Sequence, residues 1–98
     1  MDKKDIKIKT AKQLERHFKG IANYHRIDIL LLISERSGIT IEQISKTLNC
    51  SFKTVSEHSR RLYQAGLINK NYLGRSVAHT LSPYGKIVCG FVKTFQHS

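Results

Sequence analysis

The stretch TIEQISKTLNCSFKTVSEHSRRLYQAGL, Thr40 to Leu67, decides the fold. Ile41, Ile44 and Leu48 recur at helical spacing, and beyond the interruption at Asn49, Cys50 and Ser51 a second periodic run carries Val55 and Leu62. Two such runs joined by so short a break outline a helix-turn-helix. Asn49 visits left-handed backbone angles at low cost, which suits the exit from a short helix. Ser51 is an N-cap whose hydroxyl can accept from the amide of Lys53 or Thr54. Thr54 stands where Glu or Gln would complete a capping box, so no box is expected there. Cys50 is expected to point inward as a small hydrophobe. The two helices should span about 41–48 and 52–65, with Thr40 capping the first and Gly66 ending the second in the left-handed conformation.

Upstream, Ala11, Leu14, Phe18 and Ile21 make a first amphipathic helix over about 10–20, with Lys12, Arg16 and Lys19 outside and Gly20 ending or bending it. A second helix over about 24–35 carries Ile27, Leu30, Leu31, Leu32 and Ile33, and being apolar on most sides it should be the central buried one. Ser37 and Gly38 close it, and Ile39 is expected to add a very short strand.

Downstream, Leu67, Ile68, Tyr72, Leu73, Val77 and Leu81 flank the pair Gly74 and Arg75, the pattern of a hairpin with a tight tip. A helix-turn-helix followed at once by a hairpin is a winged helix. Ser82 and Pro83 then supply a cap and a first-turn proline for a last helix, 83–96. On it Tyr84, Val88, Phe91 and Phe95, widened by Ile87 and Val92, give more apolar surface than a peripheral helix needs. A homodimer seam formed with Leu14 and Phe18 of the first helix would use it. The expected class is mainly α with a small β-hairpin wing, in the order helix, helix, short strand, helix, helix, hairpin, helix. Residues 1–9 read as a flexible basic arm and 10–98 as the winged-helix domain.

A chain of 98 residues is one domain with a modest core, small enough for a partner chain to help stabilise it. Seventeen Lys and Arg against seven Asp and Glu, a formal charge of +10, favour a polyanion as partner. No acidic residue follows Glu57, so the basic residues of the second half define a one-signed face. Cys50 and Cys89 lack the spacing of a disulfide framework or a zinc finger, which fits a reduced, cytoplasmic setting. No run approaches the roughly 18 apolar residues of a membrane span. Enzyme chemistry is not indicated, for there is no phosphate-cradling glycine loop, no paired carboxylates in register and no nucleophile arrangement, and no cofactor is expected.

If the second helix of the motif enters a major groove, Ser51, Phe52, Lys53, Thr54, Ser56 and Glu57 at its outward start meet DNA. Lys53 can read a guanine or clamp a phosphate, Glu57 can accept from a cytosine amino group, and Thr54 suits a phosphate or cap contact. Arg60 and Arg61, toward the far end, suit phosphates. At the wing tip Arg75, lifted by Gly74, suits a minor-groove or phosphate contact, and Lys70 adds a nonspecific term. His58 is expected to pack against the first helix of the motif, and His17, His25 and His79, lacking ligand spacing, read as surface or partly buried histidines. On the presumed dimer helix, Cys89 invites an intersubunit disulfide acting as a redox switch.

Several strings resemble the ArsR-type winged-helix transcriptional regulators: IANYHRIDILLLI with Arg26, and TVSEHSRRLYQAGLI with Val55, Ser56, His58, Leu62, Ala65, Gly66 and Leu67 in matching places. The wing GRSVAHTLSPYGK, with Gly74, Arg75, Leu81, Pro83 and Gly85, is also similar to wings of the MarR-like group. Metal-sensing members place cysteines where this chain has Thr40, Ile41 and Glu42, or acidic and histidine ligands on the last helix, which here offers only His97. Neither metal site can be assembled. The resemblance implies a dimeric regulator, a repressor by default, on a palindromic double-stranded operator. A winged helix used for protein assembly and a nonspecific chromatin-like binder are the alternatives.

Overall fold

The computed structural model describes residues 8–98, so the expected basic arm falls outside the described residues up to residue 7. The elements are α1 (Ala11–Ile21), α2 (Tyr24–Glu35), α3 (Ile41–Leu48), α4 (Phe52–Gln64), β1 (Ile68–Leu73), β2 (Ser76–Leu81) and α5 (Pro83–Gln96). This is a winged helix-turn-helix, mainly helical, with a two-stranded antiparallel wing. Among the described residues no helix is long and apolar enough to cross a membrane.

Helix starts are set by side-chain caps. Thr10 and Thr40 each accept from the amide three residues on, while the Gln13 and Gln43 side chains accept from the threonine amides, giving two full capping boxes. Ser51 accepts from the Thr54 amide at 3.1 Å without a box. The turn between α3 and α4 runs through Asn49, whose φ of 52° is the left-handed exit its side chain tolerates.

The core is built on α2. Ile29, Leu30, Leu32 and Ile33 are buried, and Ile44 of α3, Val55 and Leu62 of α4, and Leu67 and Ile68 at the start of the wing close around them. Burial of each such side chain contributes about 1.5–3 kcal/mol of transfer free energy, enough together to hold α4 in place.

The wing pairs Ile68 with Leu81 through to Leu73 with Ser76, around Gly74 and Arg75. Gly74 has φ of 62°, a positive angle at the first turn position of the kind a type II′ hairpin requires. Ser82 ties the wing to both neighbouring helices: its hydroxyl donates to the Gly66 carbonyl at 2.6 Å and accepts from the Gly85 amide at 3.0 Å.

Three expectations are corrected. Ile39 forms no strand but one isolated bridge to His79, because Thr40 immediately turns the chain into the α3 cap. Gly20 does not end α1, which runs one residue further to Ile21; it is buried against Ala65, where an added Cβ would collide with the alanine side chain. His17 and His79 are not surface residues. His17 Nδ1 donates to the Ala65 carbonyl at 2.7 Å and His79 Nδ1 to the Ile39 carbonyl at 3.0 Å, both buried, so each ring adds a donor to a carbonyl at an element boundary, the Ile39 carbonyl accepting from the His79 amide as well.

Candidate nucleic-acid interface

α4 buries Val55, Ser59 and Leu62 and turns its other side outward. Ser51, Phe52, Lys53, Glu57, Arg60 and Arg61 are exposed, and Thr54 and Ser56 are half-buried beside them. No acidic residue occupies the first turn, so the positive end of the helix dipole and Lys53 act together. Ser51 also donates to the Thr54 hydroxyl at 2.8 Å, which leaves the Thr54 proton free for a phosphate oxygen.

Glu57 is engaged on its own helix. One carboxylate oxygen accepts from Arg60 at 2.7 Å and from Arg61 at 3.3 Å, and these hydrogen bonds, Arg60 first, hold its pKa below the usual carboxylate range. It is therefore a local neutraliser of two arginines as well as a group that a base could meet.

The wing stands beside α4. Ser56 and Ser59 share a small cavity of about 140 Å³ with Lys70, Tyr72 and Val77, and Lys70 Nζ lies 4.9 Å from the centre of the Tyr63 ring. The cation–π contact fixes Lys70 against α4, making it part of the helix–wing junction rather than a loose surface charge. Arg75 is exposed at the tip. Tyr72 and Leu73, next to that tip, are exposed too, a feature the alternation of β1 did not signal.

His58 packs against α2, its ring stacking on His25 at 5.1 Å. Burial, then the charges of Arg26 and His25, lowers its pKa, and its Nδ1 is buried without a partner among the described residues. His25 Nδ1 lies 3.9 Å from Cys50 Sγ, so Cys50 is half-buried at the turn between α3 and α4.

Apart from this face, α1 and α5 form an apolar groove. Leu14, Phe18, Tyr84, Val88, Phe91 and Phe95 line it together with Ile87 and Val92. Phe18, Ile87, Phe91 and Phe95 are 58%, 70%, 57% and 66% exposed, far above what unpartnered large apolar side chains usually show. Cys89 corrects the redox expectation. It is 3% exposed and belongs to the hydrophobic core, on the side of α5 turned away from the groove, so its thiol is out of reach of a symmetry mate. Among the described residues no three His, Cys, Asp or Glu side chains are placed to hold a metal ion.

Against known proteins, the sequence model of the MarR family matches residues 23–71, half of the chain, from the α2 cap to the middle of β1. The chain belongs to the MarR family. No curated protein matches it. Among solved structures this MarR-family chain is similar to HlyU from Vibrio cholerae N16961, with a TM-score of 0.81 and 22% identity over 94% of this chain and 100% of that one. It is similar also to the homodimeric winged helix-turn-helix DNA-binding domain of Mb0332 from Mycobacterium bovis, a possible ArsR-family transcriptional regulator (TM-score 0.78, 21% identity, 88% and 80% covered). A third is the transcriptional repressor PagR of Bacillus anthracis (TM-score 0.75, 17% identity, 83% and 93% covered). At these identities the likeness is one of fold.

Proposed function

We propose that this MarR-family chain is a cytoplasmic, homodimeric, sequence-specific regulator of transcription. It binds double-stranded DNA with α4 in the major groove and the wing on the adjacent minor groove or its phosphates. The observation that carries this reading is the uncovered outward face of α4, which begins at an acid-free helix N-terminus and continues beside the wing. Lys53 and Ser56 are the base-reading candidates. Arg60, Arg61, Lys70 and Arg75 are the phosphate contacts, with Thr54 and the Ser51 cap beside them. Glu57 holds Arg60 and Arg61 ready while keeping the face from being uniformly sticky.

The second chain seats on the α1–α5 groove. Two copies present two α4 helices, and a palindrome with half-sites about one helical turn apart is the matching target. Repression by covering a promoter is the simplest action for so small a protein, and the PagR likeness supports it.

Selection of preferred sites from random duplex DNA tests this directly. A palindromic motif is expected. Lys53→Gln should change the preferred base, whereas Arg75→Gln should weaken all sites alike and lower the salt slope by about 2, one contact from each chain of the dimer. Enrichment of no motif would leave only a nonspecific binder, and no duplex binding at all would favour the protein-assembly reading.

A further inference from the structure

We infer that the cleft between α1, the start of α2 and the end of α4 is a binding site for a small, multiply charged anion bearing phosphate or carboxylate groups. Arg16, Lys19, Arg26, Arg61 and Gln64 line a cavity of about 520 Å³. That volume falls within the roughly 300–1,000 Å³ of small-molecule sites. Among the described residues no carboxylate lines it. Lys19 is paired with Glu15 at 3.6 Å and Arg61 with Glu57 at 3.3 Å, each along its own helix, while Arg16 and Arg26 have no ion-pair partner among the described residues.

Arg26 decides the chemistry. Its Nη2 donates to the Lys19 carbonyl at 3.3 Å, which anchors the half-buried guanidinium between α1 and α2. Its Nε is buried with no partner among the described residues. A buried guanidinium N–H with nothing to donate to is costly, and an anionic oxygen is the partner that its planar fork recognises. Arg16 and Lys19 from α1 and Arg61 from α4 surround it with charge of the same sign, which favours an anion in the cleft.

Small anions fit better than a DNA backbone. Arg16 and Lys19 belong to α1 and Arg26 to α2, and Gln64 lies roughly 20 Å along α4 from its Ser51 cap, at about 1.5 Å per residue, so the cavity stands away from the helix end that enters a groove and shares only Arg61 with the phosphate contacts of α4.

Calorimetric titration of the full chain with pyrophosphate, and separately with citrate, at constant ionic strength and without DNA, tests the site apart from the regulator reading. Saturable binding of at least one of them is expected, at one site per chain. It should weaken about tenfold or more in Arg16→Gln and in Arg26→Gln, and stay unchanged in Lys86→Gln, an exposed position of α5 outside the cavity. Binding of pyrophosphate alone assigns phosphoryl ligands, and of citrate alone carboxylate ligands. Arg16 is exposed, so its variant keeps the test decisive if Arg26→Gln does not fold. Titrations that survive both substitutions, or heats no larger than those with sulfate, overturn the site. Silence with both probes overturns it too, and a shallower salt dependence of duplex binding in Arg16→Gln would then make the patch a DNA-backbone contact.

Discussion

Gly85 is a glycine because the Leu67 carbonyl leaves room for nothing else: a Cβ built there would run into that backbone oxygen. The same oxygen accepts from the Ser82 amide at 3.1 Å, so it cannot retreat without loosening the joint between wing and α5. Gly85→Ala should therefore cost about 1–3 kcal/mol, the range for overpacking a site that cannot relax. Gly90, five residues on in the same helix, faces open space. Gly90→Ala should stabilise by about 0.5–1 kcal/mol through helix propensity alone. Urea unfolding midpoints of the two variants decide between these signs, and equal midpoints would mean that α5 does not begin packed on Leu67. The pair also marks what a sequence conceals at the residue scale. Gly85 and Gly90 sit in one helix with the same letter, and only the approach of a segment 18 residues away separates them.

Elements were legible where their determinants are local. Asn49, Ser51, Gly74 and the Ser82–Pro83 pair each act within three or four residues, so the turn, the wing tip and the start of α5 could be read from spacing. Long-range partners could not: His17 reaches a carbonyl 48 residues away and His79 one 40 residues away. The Glu57 pairing with Arg60 and Arg61 was available from helix spacing, but the eye drawn to base contacts passes over it. His79 also sets how the wing responds to pH. Burial holds its pKa below the ordinary histidine value of about 6.5, and burial does the same for His58. Below that value the unfolded chain takes up protons that the folded chain refuses, so stability is full above about pH 6.5 and is lost as pH falls toward the folded pKa values. Thermal melts from pH 7.5 to 5 should show a falling midpoint. In His79→Asn, whose amide can keep the bond to the Ile39 carbonyl without titrating, the fall should be shallower. An identical slope in that variant would remove His79 from the account.

At the scale of the whole molecule, the two surfaces of this chain should answer salt in opposite ways. Each copy carries a formal charge of +10, so two copies repel, and the proposed pairing would have to be driven by the apolar side chains of the α1–α5 groove. Salt screens the repulsion without weakening apolar burial, so dimerisation should tighten as salt rises. Duplex binding should do the reverse. In the proposed complex, with Arg60, Arg61, Lys70 and Arg75 from each of two chains on phosphates, counterion release predicts a loss of about a thousandfold or more between roughly 50 and 200 mM salt. Phe91, 57% exposed and packed edge-on to Phe95 at 4.9 Å, is the place to separate the two effects. Phe91→Asp puts a desolvated carboxylate in the seam and should give a monomer by sedimentation equilibrium at every salt concentration, with unchanged helix content by circular dichroism. Its affinity for a single half-site should stay within a few-fold of the parent, while its advantage on the palindrome disappears, because the second α4 no longer arrives on the same particle. A variant that remains dimeric would place the seam elsewhere, and a parent chain whose dimer weakens with salt would mean that charge, not the phenylalanine face, holds the two copies together.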